Sequence, residues 1–500
     1  MDLFIQAIQY IFTPSVLLLC LAGGLVGVIF GAIPGLSGGT CMILALPMTY
    51  AMDTNMAVAF LVSIWVGGTS GSFIGSILLG IPGSVASIAT VYDGYEFTKK
   101  GDPVHALSAG TLANFLGTLP SLLIAMVACR IIAKLAIKLG PWEYFALGFC
   151  AITLVITLSK GNMMKGLISA GLGILFSVVG TAPISGTPRF TFGNYYFTGG
   201  FSLTCVMIGI FAGRIILYEY GKGDKLGDSQ KEDIKIGGFH LPILDVINNI
   251  GNIVRSFFVG LWIGFLPGMG AALSNVVAYA LAKSSSKHPE EFGHGCIDGV
   301  FAPEVANNAS IGGALIPCIA LGIPGDTATA LLIGALTVHG IDVGPLLFKN
   351  QPVMVYVIFM AAMFGAVFVL IGEIVGMRFL PKLLTVPYQY LYPAIIVICF
   401  AGVYISSGNM FAVFAAIIFT FIGIWMQYAG IPNSPFTLAF VLSSILETYF
   451  RRALTMKSWT AFFTRPISCI LILVSLASVV WPLLRERYFK RTFDQVEDDD

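Results

Sequence analysis

Gly27-Val-Ile-Phe-Gly31-Ala-Ile-Pro34-Gly35 returns 233 positions later as Gly260-Leu-Trp-Ile-Gly264-Phe-Leu-Pro267-Gly268, the same GxxxGxxPG pattern in two places. In the first copy Gly23, Gly27, Gly31 and Gly35 fall at four-residue spacing. That spacing puts glycine on one face of a helix, where a second backbone can approach closely. The ladder then meets Pro-Gly inside an apolar stretch, and proline removes a helix hydrogen bond and clashes with the preceding turn. Each copy therefore predicts a helix that is broken within the membrane.

Working outward, three further matches follow in the same order. Leu79-Gly80-Ile81-Pro82-Gly83 returns as Leu321-Gly322-Ile323-Pro324-Gly325 at an offset of 242. Pro141 and Tyr144 match Pro387 and Tyr390 at 246, and Gly161-Asn162-Met163 matches Gly408-Asn409-Met410 at 247. Ordered matches with a slowly growing offset point to two homologous tandem halves. The only strongly hydrophilic stretch inside the chain, Glu219–His240, divides them. The expected organisation is a first transmembrane repeat over 1–220, a charged linker loop over 221–245, a second repeat over 246–484 and a charged tail over 485–500.

Composition agrees with a lipid environment. Of 500 residues 57% are hydrophobic and 11% charged, against roughly 25% charged in soluble domains. Mean hydropathy is +0.88. The expected fold class is an all-α polytopic membrane protein, with broken or re-entrant helices and roughly 10–14 membrane segments. A net charge of +1 provides no basic field for nucleic acid. Met1–Thr13 contains Asp2 and no basic region, so no cleavable signal is expected. The nine cysteines show no CxxC pair and read as buried thiols; no metal or cofactor is expected.

A backbone break inside a bilayer survives only within protein or beside a watery cavity. The N–H groups that open the next half-helix carry partial positive charge and favour anions. Paired breaks in two halves are the pattern of transporters with a midplane site. A lone Pro-Gly is more often only a kink; two motifs duplicated in register favour a site. Substrate carboxylates are expected at Gly35, Leu36, Ser37, Gly38, Gly39 and Thr40. In the second half they are expected at Gly268, Met269, Gly270, Ala271, Ser274 and Asn275. Pro82, Gly83, Ser84, Pro324 and Gly325 would complete the site.

Ionisable groups inside apolar stretches are functional candidates. Glu304 and Asp326, with Thr327, are expected to couple transport to an ion; the first half has Val62 and Ser84 at the equivalent places. The other reading of both carboxylates is an N-terminal helix cap after Pro303 or Pro324. Asn307 and Asn308 either supply amides to substrate or bridge helices. Glu373 and Arg214 read as helix-end or pairing residues. No Arg or Lys lies within any Pro-Gly element, so backbone amides and hydroxyls would neutralise most of an anion's charge.

These residues resemble the large membrane subunit of the tripartite tricarboxylate transporters, the TctA family. The resemblance rests on Gly31-Ala-Ile-Pro-Gly-Leu-Ser-Gly-Gly39. It rests also on the block from Gly264-Phe-Leu-Pro-Gly-Met-Gly through Ala302-Pro-Glu-Val-Ala-Asn-Asn308 to Gly322-Ile-Pro-Gly-Asp-Thr-Ala-Thr329. It covers essentially the whole chain. It implies a secondary symporter of the bacterial inner membrane that takes up a small anionic substrate, such as citrate or another carboxylate, with Na⁺ or H⁺. It also implies two partners, a small four-helix membrane subunit and a periplasmic solute-binding protein.

Inverted repeats are the expectation, yet Arg130, Lys134 and Lys138 correspond roughly to Arg378 and Lys382, which counts against inversion. The basic run Arg485–Arg491 favours a cytoplasmic C-terminus. Arg189-Phe-Thr-Phe-Gly-Asn-Tyr-Tyr-Phe197 reads either as an interfacial aromatic belt or as a docking surface for a binding protein. A channel and a membrane-embedded enzyme are the rival functions. The enzyme finds no histidine pair at ligand spacing to support it.

Overall fold

A computed structural model of the chain describes residues 2–33, 37–158, 163–222, 238–379, 388–456 and 459–480. Pro34, Gly35, Leu36, Gly161, Asn162, Pro387, most of the charged linker and the basic tail lie outside the described residues. The chain begins with α1 (Asp2–Ile11), α2 (Pro14–Ala32), α3 (Gly38–Ala45), α4 (Thr54–Leu79), α5 (Thr90–Lys99) and α6 (Pro103–Ala136). Then come α7 (Pro141–Leu158), α8 (Met163–Ser177) and a two-residue hairpin pairing Gly180–Thr181 with Pro188–Arg189. A short α9 (Leu203–Met207) passes through the π-helical turn Ile208–Gly213 into α10 (Arg214–Lys222). The second half continues with α11 (Ile243–Asn248), α12 (Ile250–Phe265), α13 (Gly270–Ser285), α14 (Asp298–Leu321) and α15 (Thr327–Val338). It ends with α16 (Leu347–Asn350), α17 (Pro352–Gly376), α18 (Tyr388–Ser407), α19 (Met410–Tyr428) and α20 (Asn433–Met456), before shorter helices.

Among the described residues, five helices are long and apolar enough to cross a membrane: Pro14–Ala32, Thr54–Leu79, Pro103–Ala136, Pro352–Phe379 and Met410–Tyr428. Shorter apolar helices, α12 and α15 among them, accompany these spans. The chain is an all-α polytopic membrane protein.

The predicted breaks have local causes. Ile33 and Leu266 each precede a proline, which disfavours the helical region for that residue. Both are extended, at φ −78° ψ 121° and φ −76° ψ 122°, and they end α2 and α12. Gly80 and Gly322 end α4 and α14 in the left-handed region, at φ 66° and 73°, which glycine reaches without steric cost. Ile33 and Leu266, and likewise Gly80 and Gly322, thus stop their helices with matching backbone geometry.

Two compact units form, neither continuous in sequence. One comprises Met1–Ile137 and Ser202–Trp425, the other Lys138–Phe201 and Met426–Asp500. In the second, Gly173 of α8 lets that helix meet the Phe436 carbonyl of α20, and Tyr144 stacks on Tyr449 at 4.8 Å between ring centres. Arg465 pairs with Glu143 at 2.7 Å and lies over the Trp142 ring.

The first unit is built on close helix contacts. On α2, Gly27 faces the Ile64 carbonyl and Gly68 of α4; on α12, Gly260 faces Ala306 of α14. A β-carbon at either glycine has no space, so the small-residue ladder works as its spacing predicts. Gly27→Val is expected to destabilise the protein by about 1–3 kcal/mol through overpacking. Thermal unfolding of the detergent-solubilised variant checks this, and an unchanged Tm would refute the close α2–α4 approach. Outside these seams, Phe73, Phe257, Phe301 and Val305 form an apolar core between α4, α6, α12 and α14.

Candidate functional site

The described Pro-Gly elements, at Pro82, Pro267 and Pro324, belong to the first unit. Ser37 caps α3: its Oγ accepts from the Thr40 amide at 3.1 Å and lies 3.0 Å from the Thr40 hydroxyl. Asp326 caps α15 in a full capping box. The Asp326 Oδ1 accepts from the Thr329 amide at 2.8 Å, and the Asp326 amide donates to the Thr329 hydroxyl at 2.8 Å. Ser84 caps only the short 3₁₀ turn Val85–Ser87, through the Ala86 amide at 3.3 Å. The capping reading of Asp326 is therefore realised in the structure; capping by itself does not prevent the half-buried carboxylate from meeting an ion.

The elements meet crosswise. Gly39, at the start of α3 in the first copy, lies against Ala328 and Leu331 of α15 in the second. Reciprocally, α13 of the second copy packs beside Val85–Ser87 of the first. There the Ala89 amide donates to Asn275 Oδ1 at 2.8 Å. Within the second copy, the Gly268 amide donates to the Gly325 carbonyl at 2.6 Å, and Gly270, at φ 48°, abuts the Asp326 side chain. Within the first copy, Gly83 donates to the Ser72 carbonyl at 3.2 Å and sits against the Gly31 carbonyl. The starts of α3, α13 and α15 thus gather with Ser37, Gly38, Gly39, Thr40, Met269, Gly270, Ala271 and Thr327. Pro82, Pro324 and Gly325 hold the turns behind them.

A second group surrounds Glu304. Glu304 is 0% exposed; one carboxylate oxygen accepts a short hydrogen bond from the Thr90 hydroxyl, and the other has no partner. Asn275 donates to that same Thr90 hydroxyl at 3.4 Å, so α13 and Glu304 are joined through one side chain. Asn308 accepts from Ser70 at 2.8 Å and Thr118 at 3.0 Å, and donates to Asn114 at 2.5 Å. Asn307 donates to the Thr69 carbonyl at 3.5 Å, leaving its own carbonyl oxygen unpaired. Ser274 is spent on its own helix, donating to Ala271 at 2.9 Å.

The two asparagines therefore bridge helices, and Glu304 faces them from the same helix. Glu304 is no cap: it sits two turns inside α14, at the centre of a polar cluster drawn from α4, α5, α6, α13 and α14. Such a cluster within an apolar bundle is a functional candidate by default. Ser70, Thr90, Asn114 and Thr118 were absent from the sequence reading. Their only signal is polarity inside long apolar helices, and hydroxyls that bond the preceding turn look identical in sequence.

Asp93 was likewise missed. Buried on α5, it accepts from the backbone amides of Gly293, Gly295 and Cys296 at 2.8–2.9 Å and from the Tyr279 hydroxyl at 2.8 Å. It fixes the loop leading into α14 and so the placement of Glu304. Arg214 bonds the Ile210 carbonyl at 3.0 Å, in keeping with a local pairing role. In the aromatic loop, Arg189 pairs with Glu447 at 2.8 Å, while Phe192 and Tyr195 stand 84% and 83% exposed. Among the described residues no three His, Cys, Asp or Glu side chains cluster as metal ligands.

The chain matches the family described as "Tripartite tricarboxylate transporter TctA family" over residues 17–438. It is 33% identical, over 97% of both chains, to an "Uncharacterized 52.8 kDa protein in TAR-I ttuC' 3'region" of Agrobacterium vitis. It is 37% identical to an "Uncharacterized protein in TAR-II ttuC' 3'region" of the same organism, over 48% of this chain and 100% of that one. No solved structure matches the chain. By the extent of the family match and the full-length relative, the chain belongs to the TctA family of tripartite tricarboxylate transporters.

Proposed function

We propose that the chain is the large membrane subunit of a binding-protein-dependent carrier, and that it takes up a small carboxylate with Na⁺ or H⁺ across a bacterial inner membrane. The observation that carries the reading is the crosswise meeting of the broken helices, α3 with α15 and α13 with the turn after Gly83. Three half-helix starts converge there, and backbone amides at such starts favour an anion. Asn275 and Thr90 connect that cluster to Glu304. Binding of the anion and the state of the buried carboxylate are thereby linked through one short path. Citrate is the first substrate to try. A small four-helix membrane subunit and a periplasmic solute-binding protein are its proposed partners.

The test is uptake of radiolabelled citrate and other carboxylates into vesicles containing all three subunits, under imposed Na⁺ or pH gradients. Ser37→Ala, Asn275→Ala and Asp326→Asn are each expected to weaken substrate affinity or ion dependence by about 10-fold, the equivalent of roughly 1.4 kcal/mol. Wild-type behaviour in all three would move the site elsewhere. Saturable uptake with counterflow marks a carrier; unsaturated, uncoupled flux would mark a channel.

A further inference from the structure

We propose that Glu373 binds Na⁺ in a small cavity between α4, α6 and α17, a site distinct from the Pro-Gly elements. Glu373 lies in the last turn of α17, is 1% exposed and has no hydrogen bond to either carboxylate oxygen. An ionised carboxylate taken out of water without a partner is strongly disfavoured, so this one must be neutralised by something it holds. Beside it is a cavity about the size of one water, lined by Ser70, Thr111, Asn114 and Thr118 along with apolar side chains. Thr111, Asn114 and Thr118 fall on one face of α6, and the Thr111 hydroxyl is also without a hydrogen-bond partner.

The lining contains no Lys, Arg, His or Cys. Its polar groups are a carboxylate, three hydroxyls and one amide, and oxygen donors of this kind suit a hard cation. The space admits a bare ion and excludes both a hydrated one and a carboxylate substrate. Asn114 and Ser70 each also bond Asn308, whose amide donates to the Glu304 carbonyl at 3.2 Å. An ion at Glu373 thus touches the polar network that reaches Glu304. The coupling role of the site rests on the carrier reading above; ion binding itself does not.

The measurement is equilibrium binding of ²²Na⁺ to the purified full chain in detergent, without substrate or partner subunits. Wild type is expected to bind one Na⁺ saturably, Glu373→Gln to bind at least 10-fold more weakly, and Thr111→Val to be weakened several-fold. Gel filtration and thermal unfolding accompany each variant; should Glu373→Gln fail to fold, Thr111→Val decides. Equal binding by wild type and the variants would overturn the proposal. So would wild type that binds no Na⁺ and a Glu373→Gln variant whose uptake loses only its pH dependence, since Glu373 would then carry a proton. Saturable Na⁺ binding at Glu373 in a protein that moves no carboxylate would uphold the ion site and refute the carrier reading. Intact Na⁺-driven uptake by Glu373→Gln would do the reverse.

Discussion

Asp93→Ala is expected to leave the chain unable to hold a stable fold. The substitution strips a buried carboxylate that satisfies three backbone amides and the Tyr279 hydroxyl at once. Each buried donor left without an acceptor costs about 1–3 kcal/mol. Four of them cost on the order of 5 kcal/mol or more, comparable with the whole stability of many domains. Asp93→Asn retains one acceptor oxygen and is expected to fall between the two. Yield of monodisperse protein and Tm in detergent measure the effect. An Asp93→Ala protein with wild-type Tm would show that these amides find other partners, and that Asp93 does not anchor the loop before α14.

Glu304→Gln carries the second large expectation, and it concerns uptake rather than folding. The glutamine oxygen still accepts from Thr90, and the side chain keeps its volume, so the bundle is expected to remain intact. What is lost is a group able to change charge or neutralise a cation at the centre of the polar cluster. Ion-driven uptake is expected to fall by at least about 10-fold while substrate binding persists, because the helix starts that would hold the anion are unaltered. Uptake assays paired with substrate binding to the purified chain separate the two. A variant that transports and couples like wild type would reduce Glu304 to a buried structural acid.

Glu373 shows how differently two acids in similar apolar surroundings can be read. In sequence, Glu304 stands out because it follows Pro303 and precedes Asn307-Asn308 inside an apolar stretch. Glu373 ends an otherwise unremarked apolar run, and proximity to a helix end invites a pairing role. The structure gives it no pair. The other polar groups of its cavity come from α4 and α6, more than 250 positions away. No local pattern can announce that. Asp326 runs the opposite way: its cap is set by Thr329, three residues on, and was legible beforehand.

The sequence by itself determined the membrane environment, the helical class, the close-packing glycine faces and the places where α2, α4, α12 and α14 stop. Each of those follows from residues within a turn or two of each other: the restriction before proline, left-handed glycine, small-residue spacing, apolar length. The tertiary structure alone decided which broken element meets which, that α3 lies with α15 and α13 with the turn after Gly83. It also decided that Asn275 reaches Ala89 and Thr90, that Asn307 and Asn308 reach α4 and α6, and that Asp93 is committed to a loop 200 residues away. A buried polar side chain must find its partners wherever packing brings them. That choice belongs to the whole bundle, and no single segment encodes it.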